Sequence, residues 1–259
     1  MIKLVLFDLD DTLFNATELT KFARTDALNE MLKLGLRITM REALVLLGEV
    51  VKEYGSNYGR HFNVLLRRLH HADPSILAGQ PPDKYVAAAV IAYHRVKVKF
   101  IAPYKDVVPT LVRLKKECEG LKLGILTDGI PVKQYEKVLR LRLDKYFDTI
   151  VVSDEIGIRK PNHKLWLYCV EKAGVEPWEV VHVGDRLDRD VAPAKKAGVH
   201  AVLIHRGGKH DPYTWKDHVP DPETEPDFHV RKMGEVLDVV RKLNERGRSG
   251  AGSKASEEA

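Results

Sequence analysis

The chain has 259 residues, enough for one large domain or two modest ones. With 44% hydrophobic and 31% charged residues it has the composition of a soluble globular protein, and no run nears the ~18 apolar residues of a membrane span. Its net charge of +5 is scattered rather than gathered in a stripe, so neither nucleic acid nor a membrane is an expected partner.

The amino terminus lacks the basic region, apolar stretch and small-residue cleavage site of a secretory signal, and a cytoplasmic protein is expected. "IKLVLF" (2–7) reads as a buried parallel strand. It runs into "DLDDT", three carboxylates in four positions with nothing local to neutralise them. More than a hundred residues separate this strand from the next strand pattern. Within them, "TMREALVLLGEVVKEYG" has Thr39 and Glu42 at capping-box spacing before an amphipathic run. "FNVLLRRL" and "KYVAAAVIAYHRVKVKF" follow, each with an apolar face. A right-handed crossover needs only one helix, so residues 15–100 are expected to form an inserted helical cap.

Further strand patterns lie at 121–127, 149–153, 180–184 and 200–205. Helical patterns at 132–143, 163–174 and 190–198 separate them, the last two stopping at Gly174 and Gly198. This alternation implies an α/β fold: a doubly wound, parallel-sheet, Rossmann-like core built from residues 1–14 and 101–245. Residues 206–226 are rich in Gly, Pro and Asp and read as a loop. His205, His210 and His218 lie in or beside it at irregular spacing, as solvated loop histidines rather than a metal site. Residues 246–259 have the composition of a disordered tail. Cys118 and Cys169 lack the paired spacing of a zinc site and read as ordinary thiols.

In a doubly wound sheet, ligands bind beyond the carboxyl ends of the strands. Those ends carry Asp8, Asp10 and Thr12; then Thr127 and Asp128; then Lys160; and finally Asp185 and Asp190 in "GDRLDRD". The set suits phosphoryl transfer. A phosphate ester repels an approaching carboxylate by on the order of 4 kcal/mol at ~4 Å near a protein surface. Mg²⁺ reverses that sign. Asp8 and Asp185 are expected to hold the metal, helped by the Asp10 carbonyl, with Asp190 in direct or indirect contact. Lys160 supplies fixed positive charge. The Thr127 hydroxyl and the amides of Leu9 and Asp128 donate to phosphoryl oxygens, and Asp11 reads as a turn residue.

These four motifs, spanning residues 8 to 190, resemble those of the haloacid dehalogenase superfamily, and the insertion is similar to that family's helical cap of the first type. The resemblance implies that Asp8 is the covalent nucleophile, passing through an aspartyl phosphate. It implies that Asp10 protonates the leaving alcohol and then activates water. An acid at position 10 favours a phosphatase or phosphomutase over a dehalogenase, whose halide leaves without a proton. The fourth motif departs from the pattern, with Arg186 and Arg189 where many relatives have a small residue and Asn. "EYGSNYGRHFNVLLRRL", "TDGIPVKQYEKVLRL" and "GDRLDRD" resemble an archaeal group described as glyceraldehyde 3-phosphate phosphatases. The implied activity is Mg²⁺-dependent hydrolysis of a small phosphorylated metabolite, a sugar or triose phosphate. The alternatives are a phosphomutase and a non-catalytic binding protein that retains the fold.

The core motifs address only phosphate and metal, so specificity is expected from the cap. Asn57, Arg60 and His61, in the Gly-punctuated "YGSNYGRHF" (54–62), are the candidate substrate contacts, with a solvated helix–helix turn as the competing reading. The sequence carries no signal for the oligomeric state.

Overall fold

The computed structural model of the chain describes residues 1–208, 211 and 224–254, with side chains described through residue 246. The chain divides into two compact units, Met1–Asn15 with Ala102–Ala259, and Ala16–Ile101. No described helix is long and apolar enough to cross a membrane.

The second unit is helical: α1 (Ala16–Lys33), α2 (Met40–Tyr54), α3 (His61–Ala72) and α4 (Pro82–Phe100). The capping box expected before α2 is present. The Thr39 hydroxyl accepts from the Glu42 amide at 3.2 Å, and the Glu42 carboxylate accepts from the Thr39 amide at 3.0 Å. Leu28, Met31, Leu47, Leu65 and Tyr85 are fully or almost fully buried in one apolar cluster, so this unit has a core of its own.

The first unit is built on six parallel strands: β1 (Leu4–Phe7), β2 (Lys122–Thr127), β3 (Thr149–Val152), β4 (Val180–Gly184), β5 (His200–Ile204) and β6 (Phe228–Val230). Their order across the sheet is β3-β2-β1-β4-β5-β6. Every residue of β1 and β4 is buried, which is why β1 reads as a continuous apolar run, and β4 as one broken by His182, rather than as alternating strands. The helices are α5 (Val107–Glu117), α6 (Pro131–Arg140), α7 (Ser153–Ile156), α8 (Lys164–Ala173), α9 (Ala192–Lys196) and α10 (Glu235–Lys254). Trp166 and Cys169 of α8 pack with Leu4, Leu6, Leu126 and Leu203 from the sheet.

From β1 the strands step one way through β2 to β3; β4, β5 and β6 then add on the other side. The switch point therefore falls between β1 and β4, where Phe7 pairs with Val183.

Three expectations are corrected. Three-residue β6 went unread because it is too short for an alternating or continuous pattern to stand out. The helix expected to start at residue 190 starts at Ala192, because Leu187–Val191 forms a π-type turn. The tail expected from residue 246 is helical through Lys254. Once its packed first turns have formed, a helix extends at one hydrogen bond per residue, which composition alone does not anticipate.

Candidate active site

Asp8 follows β1 directly, its amide donating to the Val183 carbonyl at 2.9 Å, and Asp185 follows β4. The strand register thus sets these two carboxylates side by side at the switch point. Asp190 reaches them from the π-type turn, and only glycine at 184 allows it. A Cβ added to Gly184 would lie 2.4 Å from both Cβ and Cγ of Asp190. Carboxylate oxygens of Asp8, Asp185 and Asp190 lie within 4.8 Å of one another, and no other such group occurs among the described residues. Lys160 is buried between them and donates to Asp8 Oδ1 and Asp190 Oδ1, each at 2.7 Å.

Three acids thus share one ammonium, and their protonation follows from that imbalance. Burial pushes Asp8 up to about 7 against the pull of Lys160, with Asp190 reinforcing the rise. Burial likewise pushes Asp185 up to about 9, with the charges of Asp190 and Asp8 adding to it. Asp190 moves the other way. Although burial opposes its charge, Lys160 and then His182 hold it well below the usual carboxylate range. Lys160 rises despite burial because Asp190 and Asp8 face it. Burial lowers His182 to about 4, so it stands neutral beside Asp190, its Nε2 at 3.3 Å and its ring edge-on to Trp166. The cluster is all oxygen, buried and short of positive charge, and this donor set fits a hard divalent cation such as Mg²⁺.

The second motif forms the adjoining wall. Thr127 is buried at the end of β2, and its hydroxyl oxygen accepts from Gln134 Nε2 at 3.0 Å. The same amide nitrogen also donates to the Asp128 carbonyl. With its oxygen already accepting, the Thr127 hydroxyl keeps its own proton to donate elsewhere. The Asp128 carboxylate accepts from the Lys160 amide at 3.0 Å and from Arg189. Arg189 also donates to the Lys160 carbonyl at 2.8 Å. The departure from the family pattern at 189 therefore ties the second, third and fourth motifs together. The backbone amides of Leu9 and Asp128 donate to no acceptor among the described residues and remain available to an anion. Thr12 donates to Asp185 at 3.4 Å, and Asp11 occupies the left-handed region of a turn at φ 61°.

Asp10 is not part of the carboxylate cluster; both its oxygens accept from Lys137 of α6, at 2.8 and 2.6 Å. Gln134 and Lys137 were missed in the sequence reading. The available signal was their i, i+3 spacing on the first helix after Thr127, which brings both to one face. Asn57, Arg60 and His61 belong to the helical unit, outside this cluster. His61 Nε2 lies 2.8 Å from the Gly55 carbonyl, and its ring stands edge-on to Tyr58. His205 corrects the expectation of a solvated loop. Its side chain is 5% exposed, with Nδ1 2.7 Å from Asp211 Oδ1 and Nε2 3.0 Å from His229 Nδ1. His210 and His218 lie outside the described residues.

Two expectations for measurement follow from this geometry. Asp8 and Asp185 titrate above their unfolded values, so the metal-free fold holds protons that the unfolded chain has released. Their contribution to stability is therefore full below the unfolded carboxylate range and lost as pH rises through about 7 and about 9. A cation that takes over both carboxylates offsets the loss, so the rise in Tm on adding Mg²⁺ should grow from pH 6 to pH 9. Asp185→Asn should flatten that trend; a Mg²⁺ effect independent of pH contradicts it. Gly184→Ala should lower stability by about 1–3 kcal/mol through overpacking against Asp190, read by denaturant unfolding.

Residues 5–204 match a family model described as haloacid dehalogenase-like hydrolase. A Methanopyrus kandleri protein named glyceraldehyde 3-phosphate phosphatase is 44% identical over 245 residues, covering 94% of this chain and 99% of its own. Its namesake from Methanocaldococcus jannaschii is 38% identical over 243 residues, with the same coverage. Among solved structures, a haloacid dehalogenase-type phosphatase from Thermococcus onnurineus matches with TM-score 0.62 at 28% identity, over 92% of this chain and 98% of its own. A 2-haloacid dehalogenase from Pseudomonas syringae matches with TM-score 0.60 at 27% identity, over 93% of this chain and 99% of its own. The four strand-end segments, the shared lysine and these matches agree, and the chain belongs to the haloacid dehalogenase-like hydrolase family.

Proposed function

We propose that the protein is a cytoplasmic, Mg²⁺-dependent phosphomonoesterase acting on a small phosphorylated metabolite, with glyceraldehyde 3-phosphate, the substrate in its relatives' names, as the first candidate. The observation that carries this reading is the buried Lys160 shared by Asp8 and Asp190, with Asp185 in the same cluster. Asp8, Asp185 and Asp190 would hold the metal, with the Asp10 carbonyl as a further ligand. When bound, Mg²⁺ supplies charge that lets a carboxylate approach an anionic ester.

The protein's own groups then divide the work. Lys160 restrains Asp8 through Oδ1, which leaves Oδ2 outside that bond and free to attack phosphorus. The Thr127 hydroxyl and the amides of Leu9 and Asp128 receive the phosphoryl oxygens. As the Asp8–phosphorus bond forms and the ester bond breaks, Asp10 gives its proton to the leaving alcohol. In the second half-reaction Asp10 takes a proton from water, which attacks phosphorus and releases phosphate and free Asp8. The carboxylic acid at position 10 disfavours a dehalogenase, and the phosphatase names of the relatives disfavour a phosphomutase. Discrimination among esters is assigned to the helical unit, with Asn57, Arg60 and His61 as the candidates.

Glyceraldehyde 3-phosphate and related esters should release inorganic phosphate in the presence of Mg²⁺, and a chelator should stop it. Asp8→Asn should lower kcat by on the order of 10³-fold or more while the protein stays folded. Normal turnover in that variant overturns the nucleophile assignment. Rearranged sugar phosphate in place of free phosphate would instead identify a mutase.

A further inference from the structure

Lys137 is a half-buried residue of α6 that takes no direct part in binding or transferring the phosphoryl group. It lies one helical turn beyond Gln134, and its side chain is 19% exposed. Its ammonium donates to both oxygens of Asp10 across 127 positions of sequence. A partly exposed ion pair of this kind adds little to stability, so folding is a poor reason for it. Asp10 explains it better. The residue sits in the turn after β1 rather than in a strand, and its side chain is 36% exposed, so packing does not hold its orientation. Among the described residues, Lys137 is the side-chain partner of its carboxylate.

We propose that Lys137 is a positioning residue, gripping the Asp10 carboxylate in one orientation so that the proton given to the leaving alcohol travels along a fixed line. The inference rests on the reading of Asp10 as proton donor. Proton transfer tolerates misplacement of only about 0.5 Å, and a side chain free to rotate in solvent does not meet that demand. Because Lys137 reaches both oxygens, contact also survives the reaction. When one oxygen of Asp10 carries the proton, the other still accepts from Lys137. After the proton passes to the alcohol oxygen, both oxygens accept again. The ammonium itself neither gains nor loses a proton in either half-reaction.

The test uses two esters that differ in their need for that proton. Nitrophenolate leaves unprotonated, whereas the alkoxide of an alkyl phosphate does not. The quantity to compare is kcat/KM, which reads events up to phosphoenzyme formation. Lys137→Met should lower kcat/KM for an alkyl phosphate that the wild type turns over by on the order of 10²-fold. The loss for p-nitrophenyl phosphate should be far smaller, and the same variant thereby reports that it is folded. Asp10→Asn should show the same asymmetry, and Lys137→Arg, which keeps two donors, should recover part of the alkyl phosphate activity. Equal losses on both esters, or no loss on either, overturn the proposal. Asp8→Asn separates its failure from that of the parent reading, since that variant should lose both esters whatever Lys137 does.

Discussion

The structure depends on one ammonium group. Lys160 is buried at 2.7 Å from two carboxylates, on a segment between β3 and α8 whose backbone is also held at the site, by Asp128 and Arg189. A buried charge without a partner is strongly destabilising, and so is a buried cluster of acids without a cation. Each feature is tolerable only because of the other. The balance is still incomplete, since three acids face one lysine, and the raised Asp8 and Asp185 express that deficit. An incomplete balance in an otherwise closed core is the physical signature of a site built for an added cation and an anionic ligand.

The sheet turns that local imbalance into a defined geometry. The β1–β4 pairing sets Asp8 beside Asp185, and β2 on the other side of β1 brings in Thr127 and Asp128. Gly184 lets Asp190 fold back against the strand end, and the π-type turn provides the extra length that carries it there. Arg189 then links the Asp128 carboxylate to the Lys160 carbonyl. An arginine that looked like a disturbance of the fourth motif is a brace between three of the four segments. Its five donors in a planar fork suit that task better than an asparagine could.

Helix α6 adds a layer behind the motifs. Gln134 commits the Thr127 oxygen as an acceptor, and Lys137 engages Asp10. Both side chains work through another residue, so neither carries the acid, hydroxyl or strand-end position by which a site is read from a sequence. The amphipathic pattern of the helix marks them only as polar.

Much of the protein was legible without coordinates. Five of the six strands announced themselves as largely apolar runs, because a sheet covered on both faces favours apolar side chains on both sides of each strand. Their polar ends pointed to Asp8, Thr127, Lys160 and Asp185, because ligands gather at carboxyl ends whatever the rest of the chain does. The length and helical character of the insertion set the second unit apart for the same kind of local reason. Short β6 escaped because three residues are too few to show a pattern, and the pairing of His205 with Asp211 and His229 escaped because no periodicity in the sequence marks which of them meet. Tertiary structure alone decided that Lys160 is shared by Asp8 and Asp190, that Arg189 braces the motifs, and that Lys137 grips Asp10. Local sequence sets which groups a segment offers. Which charges meet depends on contacts across 30 to 152 positions, and only the folded sheet brings such distant groups within hydrogen-bond range.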